Sequence, residues 1–105
     1  MEAEKKNLTV SEILAAIKNV PPETPVFHQV IMAQYSIKGF TEFAAFVRME
    51  SYTPYFESAI PMYVSELESE LKKLDPNKPV RYYNDNLEPI TGYHIDPDKQ
   101  IFYLY

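Results

Sequence analysis

At 105 residues the chain is long enough for one compact domain and too short for two ordinary ones. A net charge of −5 and a pI of 4.9 argue against nonspecific binding to nucleic acid or to an anionic membrane. The absence of cysteine removes disulfides, thiolate catalysis and thiol-rich zinc sites.

Basic and acidic residues are spread along both halves of the chain, so no charged tail or basic block marks a partner. Nine tyrosines and six phenylalanines supply apolar area enough to offset chain entropy, which excludes disorder along the whole length. No run approaches the roughly 20 apolar residues of a membrane helix. The opening MEAEKKNLTV has no apolar segment behind its charges, unlike a secretory leader. A cytoplasmic protein with no membrane association is expected, residues 1 to 7 being a flexible extension.

In chain order, Thr9 and Glu12 form a capping box that opens an amphipathic helix with Ile13, Leu14, Ile17 and Val20 on one side. Pro21 stops it, and Pro25-Val26 starts a strand. VFHQVIMAQYSI is rich in β-branched and aromatic residues, with both faces apolar around Val30 to Ala33, and reads as one strand covered on both sides. Residues 41 to 61 carry two readings. Phe43 to Met49 can be a strand, or Phe43, Phe46 and Val47 can share a helix face. Thr53-Pro54 then opens a short helix limited by Pro61.

At Val64 the chain repeats itself. VSELESELKKLDPNKPV aligns without a gap on VSEILAAIKNVPPETPV, 54 residues earlier, with seven identities in seventeen positions. Leu67, Leu71 and Leu74 stand where Ile13, Ile17 and Val20 stood. Tyr63 replaces the capping Thr9, and Ser65 with Glu68 offers another cap two residues later. The first helix, with Leu14, Ala15 and Ala16 where the second has Glu68, Ser69 and Glu70, is expected to be the more central. Asn84-Asp85-Asn86 reads as a turn between two strands. Ile90-Thr91-Gly92-Tyr93 then echoes Ile37-Lys38-Gly39-Phe40 at an offset of 53, one residue having dropped out. Asp96-Pro97-Asp98-Lys99 is a type I turn that joins a strand ending at Ile95 to a terminal QIFYLY strand.

LTVSEILAAIKNVPPETPV together with PITGYHID resembles a group of small uncharacterised bacterial and phage-type intracellular proteins. Those open with a TVxEL helix, a proline stop and a Pro-Val strand, and later carry a PITGY-like strand. The resemblance covers residues 8 to 40 and 62 to 105. It implies a small intracellular α+β unit, encoded on a mobile element in some cases, and carries over no active-site residue.

The pattern predicts one α+β domain over residues 1–105, built from two helix–strand–strand units (8–40 and 62–95). Its sheet is mixed or antiparallel, with helices mainly on one face. Ile13, Ile17, Val30, Leu67, Leu71, Ile90 and Leu104 are the expected core.

No residue pattern points to catalysis, a cofactor or a metal. There is no HExxH, no calcium loop, no glycine-rich phosphate loop and no nucleophile elbow. The only histidines are His28 and His94, and with Asp96 they are the one polar set that could serve a small metal-dependent or histidine-using hydrolase. An acidic mimic of nucleic acid is a further alternative. The leading expectation is a noncatalytic interaction or accessory protein that binds a protein partner or itself as a homodimer. Tyr82, Tyr103 and Tyr105 are its expected interface, because QIFYLY at a sheet edge would leave backbone groups open for pairing.

Overall fold

Thr9 opens the first helix as its side chain requires. Its Oγ1 accepts from the Glu12 N–H at 3.3 Å, and the Glu12 carboxylate accepts from the Thr9 N–H at 2.9 Å. A computed structural model describes residues 7–30, 33–52, 61–84 and 86–105. These contain helices α1 (Val10–Ile17) and α2 (Val64–Leu71). Their strands are β1 (Pro25–Val30), β2 (Ala33–Glu42), β3 (Val47–Ser51), β4 (Met62–Tyr63), β5 (Val80–Asn84), β6 (Asn86–Pro89), β7 (Tyr93–Asp96) and β8 (Ile101–Leu104).

The strands make one mixed sheet in the order β6-β5-β3-β2-β1-β8-β7, with β4 added beside β1. Its two ends, β6 and β7, are consecutive pieces of one stretch of chain. That stretch pairs with β5 up to Ile90, whose N–H donates to the Val80 carbonyl at 2.9 Å, and with β8 from Gly92 onward. The sheet therefore curls until it meets itself. The fold is a single α+β domain in which the sheet dominates.

Pairing registers carry the offset seen in the sequence. Val26 lies beside Phe102 and Val80 beside Val47, both in parallel ladders. Phe27 faces Ser36 in one hairpin and Arg81 faces Pro89 in the other. The buried cluster divides the same way. Leu8, Val10, Ile13, Ile17, Val26, Ile37, Val47 and Met49 come from the first half. Met62, Val64, Leu67, Leu71, Val80, Ile90, Phe102 and Leu104, from the second, stand at the corresponding places.

Helix starts are tied across the halves. The Val10 and Ser11 N–H groups donate to the carbonyls of Lys78 and Pro76, each at 3.0 Å. Those of Val64 and Ser65 donate to Thr24 and Pro22 at 2.9 and 3.0 Å. The leading N–H groups of a helix have no partner within it, so each half completes the other's helix.

Several sequence expectations need correction. VFHQVIMAQYSI is not one strand but a hairpin, β1 pairing antiparallel with β2 from Val30 opposite Ala33 back to Phe27 opposite Ser36. Val30 is accordingly only half-buried and outside the core cluster. Helix α2 begins directly after Tyr63, not at Ser65, because its first two N–H groups already have carbonyl partners and the Tyr63 N–H donates to Glu66 at 3.0 Å. Each helix buries three equivalent residues, α1 adding partly buried Leu14 and Ala16. Of residues 41 to 61, 47 to 51 are strand and Phe43 to Phe46 form the turn before it; the expected helix from Thr53 falls on 53 to 60, outside the described residues. The expected flexible start likewise falls outside them up to residue 6, and the Asn7 side chain donates to the Val80 carbonyl at 3.2 Å. The terminal strand is no edge, since β8 is flanked by β1 and β7.

Because the parallel ladders and the helix ties both run between halves, peptides spanning 1–56 or 57–105 alone are expected to show no cooperative thermal transition by circular dichroism. A stable, folded isolated half would contradict the interlocked arrangement.

Candidate interaction surface

Strand parity sorts the side chains. His28 pairs with Leu104 and lies on the buried side of the sheet at 2% exposure. His94 pairs with Tyr103, the neighbour of Leu104, and therefore points to the other side. The two histidines stand on opposite faces. Asp96 shares the His94 side two residues on, where its carboxylate accepts from the N–H groups of Lys99 and Asp98 at 3.1 and 3.0 Å. Those bonds, that from Lys99 first, hold the Asp96 carboxyl below its usual range. Among the described residues no group of three metal-binding side chains converges.

His28 packs as a core residue. Its ring meets Tyr82 edge-on with centroids 4.3 Å apart, and Nδ1 lies 3.4 Å from the Ser51 hydroxyl. Nε2 is buried and, among the described residues, without a hydrogen-bond partner. A proton on Nδ1 leaves only a lone pair unsatisfied at Nε2, which costs less than a buried orphan N–H or a buried charge. Burial lowers the His28 pKa to about 4. Tyr82, at the corresponding position of the second half, has its phenol pushed up by burial and then by the Glu88 charge.

Of the tyrosines named from sequence, Tyr103 is buried, Tyr82 half-buried and Tyr105 exposed. Tyr103 is only 3% exposed; its hydroxyl accepts from Gln34 at 3.2 Å, and the His94 ring stacks on it at 4.9 Å. Tyr105 lays its phenol over Gly92, where an added Cβ would come within 2.6 Å of two ring carbons and the hydroxyl oxygen. What the sequence reading passed over is the next residue after Tyr82. Val80 points inward, so Arg81 and Tyr83 alternate to opposite faces from Val80 and Tyr82, which places Tyr83 outside.

Tyr83 is 69% exposed, with exposed Leu87 directly across the hairpin. The row continues through Glu50 on β3 to Gly39 on β2, since the Met49–Tyr82 pair places Glu50 beside Tyr83. The adjacent row holds Arg81 beside Arg48. Their guanidinium groups lie over the Phe46 and Phe43 rings, 5.7 and 5.2 Å from the centroids, and those rings stack on each other at 5.0 Å. Glu50 binds Arg48 at 2.6 Å; among the described residues Arg81 has no acidic partner. A shallow groove of about 350 Å³ opens here, bounded by Lys38, Arg48, Glu50 and Tyr83.

A second concavity of about 570 Å³ lies between the turn after α1 and the turn before β8, lined by Val20, Pro21, Pro25, Ile95 and Lys99 among others. The corresponding place in the other half carries an ion pair. There Glu42, in the place of Ile95, accepts from Lys78 and from the Asp75 N–H at 2.9 and 3.2 Å, which lowers the Glu42 pKa.

No helix is long and apolar enough to cross a membrane among the described residues. Comparison with protein-family models, with curated proteins and with solved structures gives no match.

Between its ordinary 6.5 and about 4, His28 is protonated in the unfolded chain and neutral in the folded one. Stability contributed by keeping it neutral is present above pH 6.5 and is lost as pH falls toward 4, by about 3 kcal/mol in all. Urea titrations between pH 4 and 7 should show this slope in the parent chain and a flatter one in His28→Phe. Equal slopes would mean that His28 titrates normally.

Proposed function

We propose that this chain is a noncatalytic interaction protein whose contact surface is the outer face of β2, β3, β5 and β6, centred on Tyr83. The observation that carries the reading is Tyr83 itself. A tyrosine so exposed, paired across the hairpin with an exposed leucine and bordered by two arginines, has the composition of a protein contact more than of a random solvated face. Tyrosine offers large area with few rotors to freeze, and arginine adds planar donors. The interior supports the same reading. A neutral, buried His28 packed on Tyr82 is a poor general base, and His94 stands on the far face.

The matching registers and paired core positions support a duplicated helix–strand–strand unit, with both helices on the face of the sheet that holds the common core. On that reading the inside has stayed alike in the two halves and the outside has diverged, so the specific surface is sought where the halves differ. The contact surface moves accordingly from Tyr82, Tyr103 and Tyr105 to Tyr83 and Leu87.

A photo-crosslinking amino acid placed at position 83 of the full chain in its native cell should capture an adduct of discrete mass. Leu87→Lys should abolish the adduct while leaving the melting temperature within a few degrees. The same crosslinker at Tyr63, exposed but elsewhere, is the control. An adduct of twice 12.2 kDa identifies self-association as the contact. Equal labelling from positions 83 and 63, or none from either, rejects this surface.

A further inference from the structure

Of the two strands that end the sheet, β6 is guarded: it carries Glu88, and Pro89 has no N–H to offer a neighbour. β7 is not. Ile90 still binds β5 and Leu8, its N–H donating to Val80 at 2.9 Å and its carbonyl accepting from Leu8 at 2.8 Å. From Gly92 onward only β8 pairs with this stretch. Gly92 and Tyr105 exchange N–H and carbonyl groups at 3.1 Å each. Bonded pairs alternate in an antiparallel ladder, so His94 and Asp96 also bond to β8, while the N–H and C=O groups of Tyr93 and Ile95 point away from it. Among the described residues nothing else is bonded to these four groups. The Tyr93 and Ile95 side chains are 43% and 45% exposed, and from Gly92 to Ile95 there is no proline, lysine, arginine or carboxylate. In the first half Glu42 stands in the place of Ile95, and its ion pair with Lys78 at 2.9 Å puts charge on that edge.

We infer that β7 pairs antiparallel with β7 of a second copy of this chain, about a twofold axis at His94, so that the two sheets run into one. This surface is separate from the one centred on Tyr83 and does not depend on it. The backbone selects both the register and the partner. With His94 opposite His94, Tyr93 of each copy faces Ile95 of the other, and every open N–H meets an open carbonyl. A shift by one residue sets open groups against groups already bonded to β8. Centring on Tyr93 sets Ile95 against Thr91, whose N–H already donates to the Tyr105 carbonyl at 2.7 Å. Centring on Ile95 sets Tyr93 against Pro97, which has no N–H. Side chains agree with the backbone. Tyr93 against Ile95 is an aromatic–β-branched pair, formed twice, on the side of the sheet where both are exposed. On the other side His94, stacked on Tyr103 at 4.9 Å, faces its copy. Asp96 falls opposite Gly92, so no carboxylates meet. An unrelated extended peptide would satisfy the same backbone groups, but β7 is already its own complement, as a twofold interface requires.

Because the chain has no cysteine, a single introduced thiol reads the register. Residues opposite each other in a pair without hydrogen bonds have Cα atoms about 4.5 Å apart, within the span of a disulfide. His94→Cys should therefore form a covalent dimer on mild oxidation. Tyr93→Cys, whose two copies would lie roughly 8 Å apart, should form roughly tenfold less. Sedimentation equilibrium of the full chain should give twice 12.2 kDa. Ile95→Lys should return it to the single mass with an unchanged circular dichroism spectrum, and Tyr83→Ser should leave it paired. A parent chain of single mass at every concentration overturns the proposal, and so does equal crosslinking from positions 93 and 94. A dimer lost in Tyr83→Ser but kept in Ile95→Lys overturns it as well, and puts self-association on the Tyr83 face, where the interaction reading stands.

Discussion

Each helix begins on hydrogen bonds that only the other half can supply. An eight-residue helix is too short to hold itself together in water, and its leading N–H groups would be orphans. Carbonyls of Lys78 and Pro76 serve α1, while those of Thr24 and Pro22 serve α2. These carbonyls belong to the turns that follow the opposite helix and lead into the opposite first strand. Forming one helix start therefore fixes the turn that aims the other half's strand, and that strand then pairs in parallel with the first half's last one. Because the ties are reciprocal, neither helix, neither parallel ladder and no part of the common core is independent of the rest.

On the proposed duplication, that reciprocity accounts for halves alike inside and unlike outside. The buried positions of both halves belong to one cluster, so the volume of each is constrained by its neighbours. Ile13 with Leu67, Ile17 with Leu71 and Val26 with Val80 keep apolar side chains of similar size at fully or nearly fully buried sites. Rim and outer positions carry no such constraint. Glu42 pairs with Lys78 at one rim, where Ile95 and Thr24 line a concavity at the other. Among the described residues nothing lies within 4 Å of a Cβ on Gly39, where Tyr105 covers Gly92. These differences of charge and exposure stand where packing exerts the least pressure.

The similarity between residues 10–26 and 64–80, on which the proposed duplication rests, is legible because it lies in residues with strong local meaning: helix-spaced aliphatics, the proline stops and the Pro-Val strand starts. The drop of one residue in the offset, from 54 to 53, falls at the hairpin tip, since Val30 opposite Ala33 corresponds to Asn84 opposite Asn86. The second tip was readable from its Asn-Asp-Asn. The first was not, because Ile31 and Met32 carry no turn chemistry and extend an apolar run. The place of β8 was hidden for a different reason. Its second neighbour is β1, parallel and more than seventy residues earlier, and no local pattern encodes such a pairing. The surface proposed above is centred one residue from the expected Tyr82. Anchoring the period-two alternation on Val80 puts Tyr82 inside and Tyr83 outside, and the same alternation on Phe102 and Leu104 turns Tyr103 to the outer face, where Gln34 and His94 occupy it.

The centre of the molecule shows what kind of polar group this fold admits. His28 and Tyr82 occupy corresponding positions and touch each other, so they sit where the two halves meet. His28 is buried and Tyr82 partly buried, and burial disfavours the charged form of each: the imidazole pKa falls to about 4 and the phenol pKa rises. A general base works best with a pKa near the operating pH, so burial that lets His28 pack also removes it from that role. The neutral pair gives the junction a ring contact and a bond to Ser51 at the cost of one unsatisfied lone pair. Polar chemistry that needs charge is thereby confined to the outer face. There the guanidinium groups of Arg48 and Arg81 lie over the Phe43 and Phe46 rings, and this is the arrangement of charge and exposed ring on which the proposed contact rests.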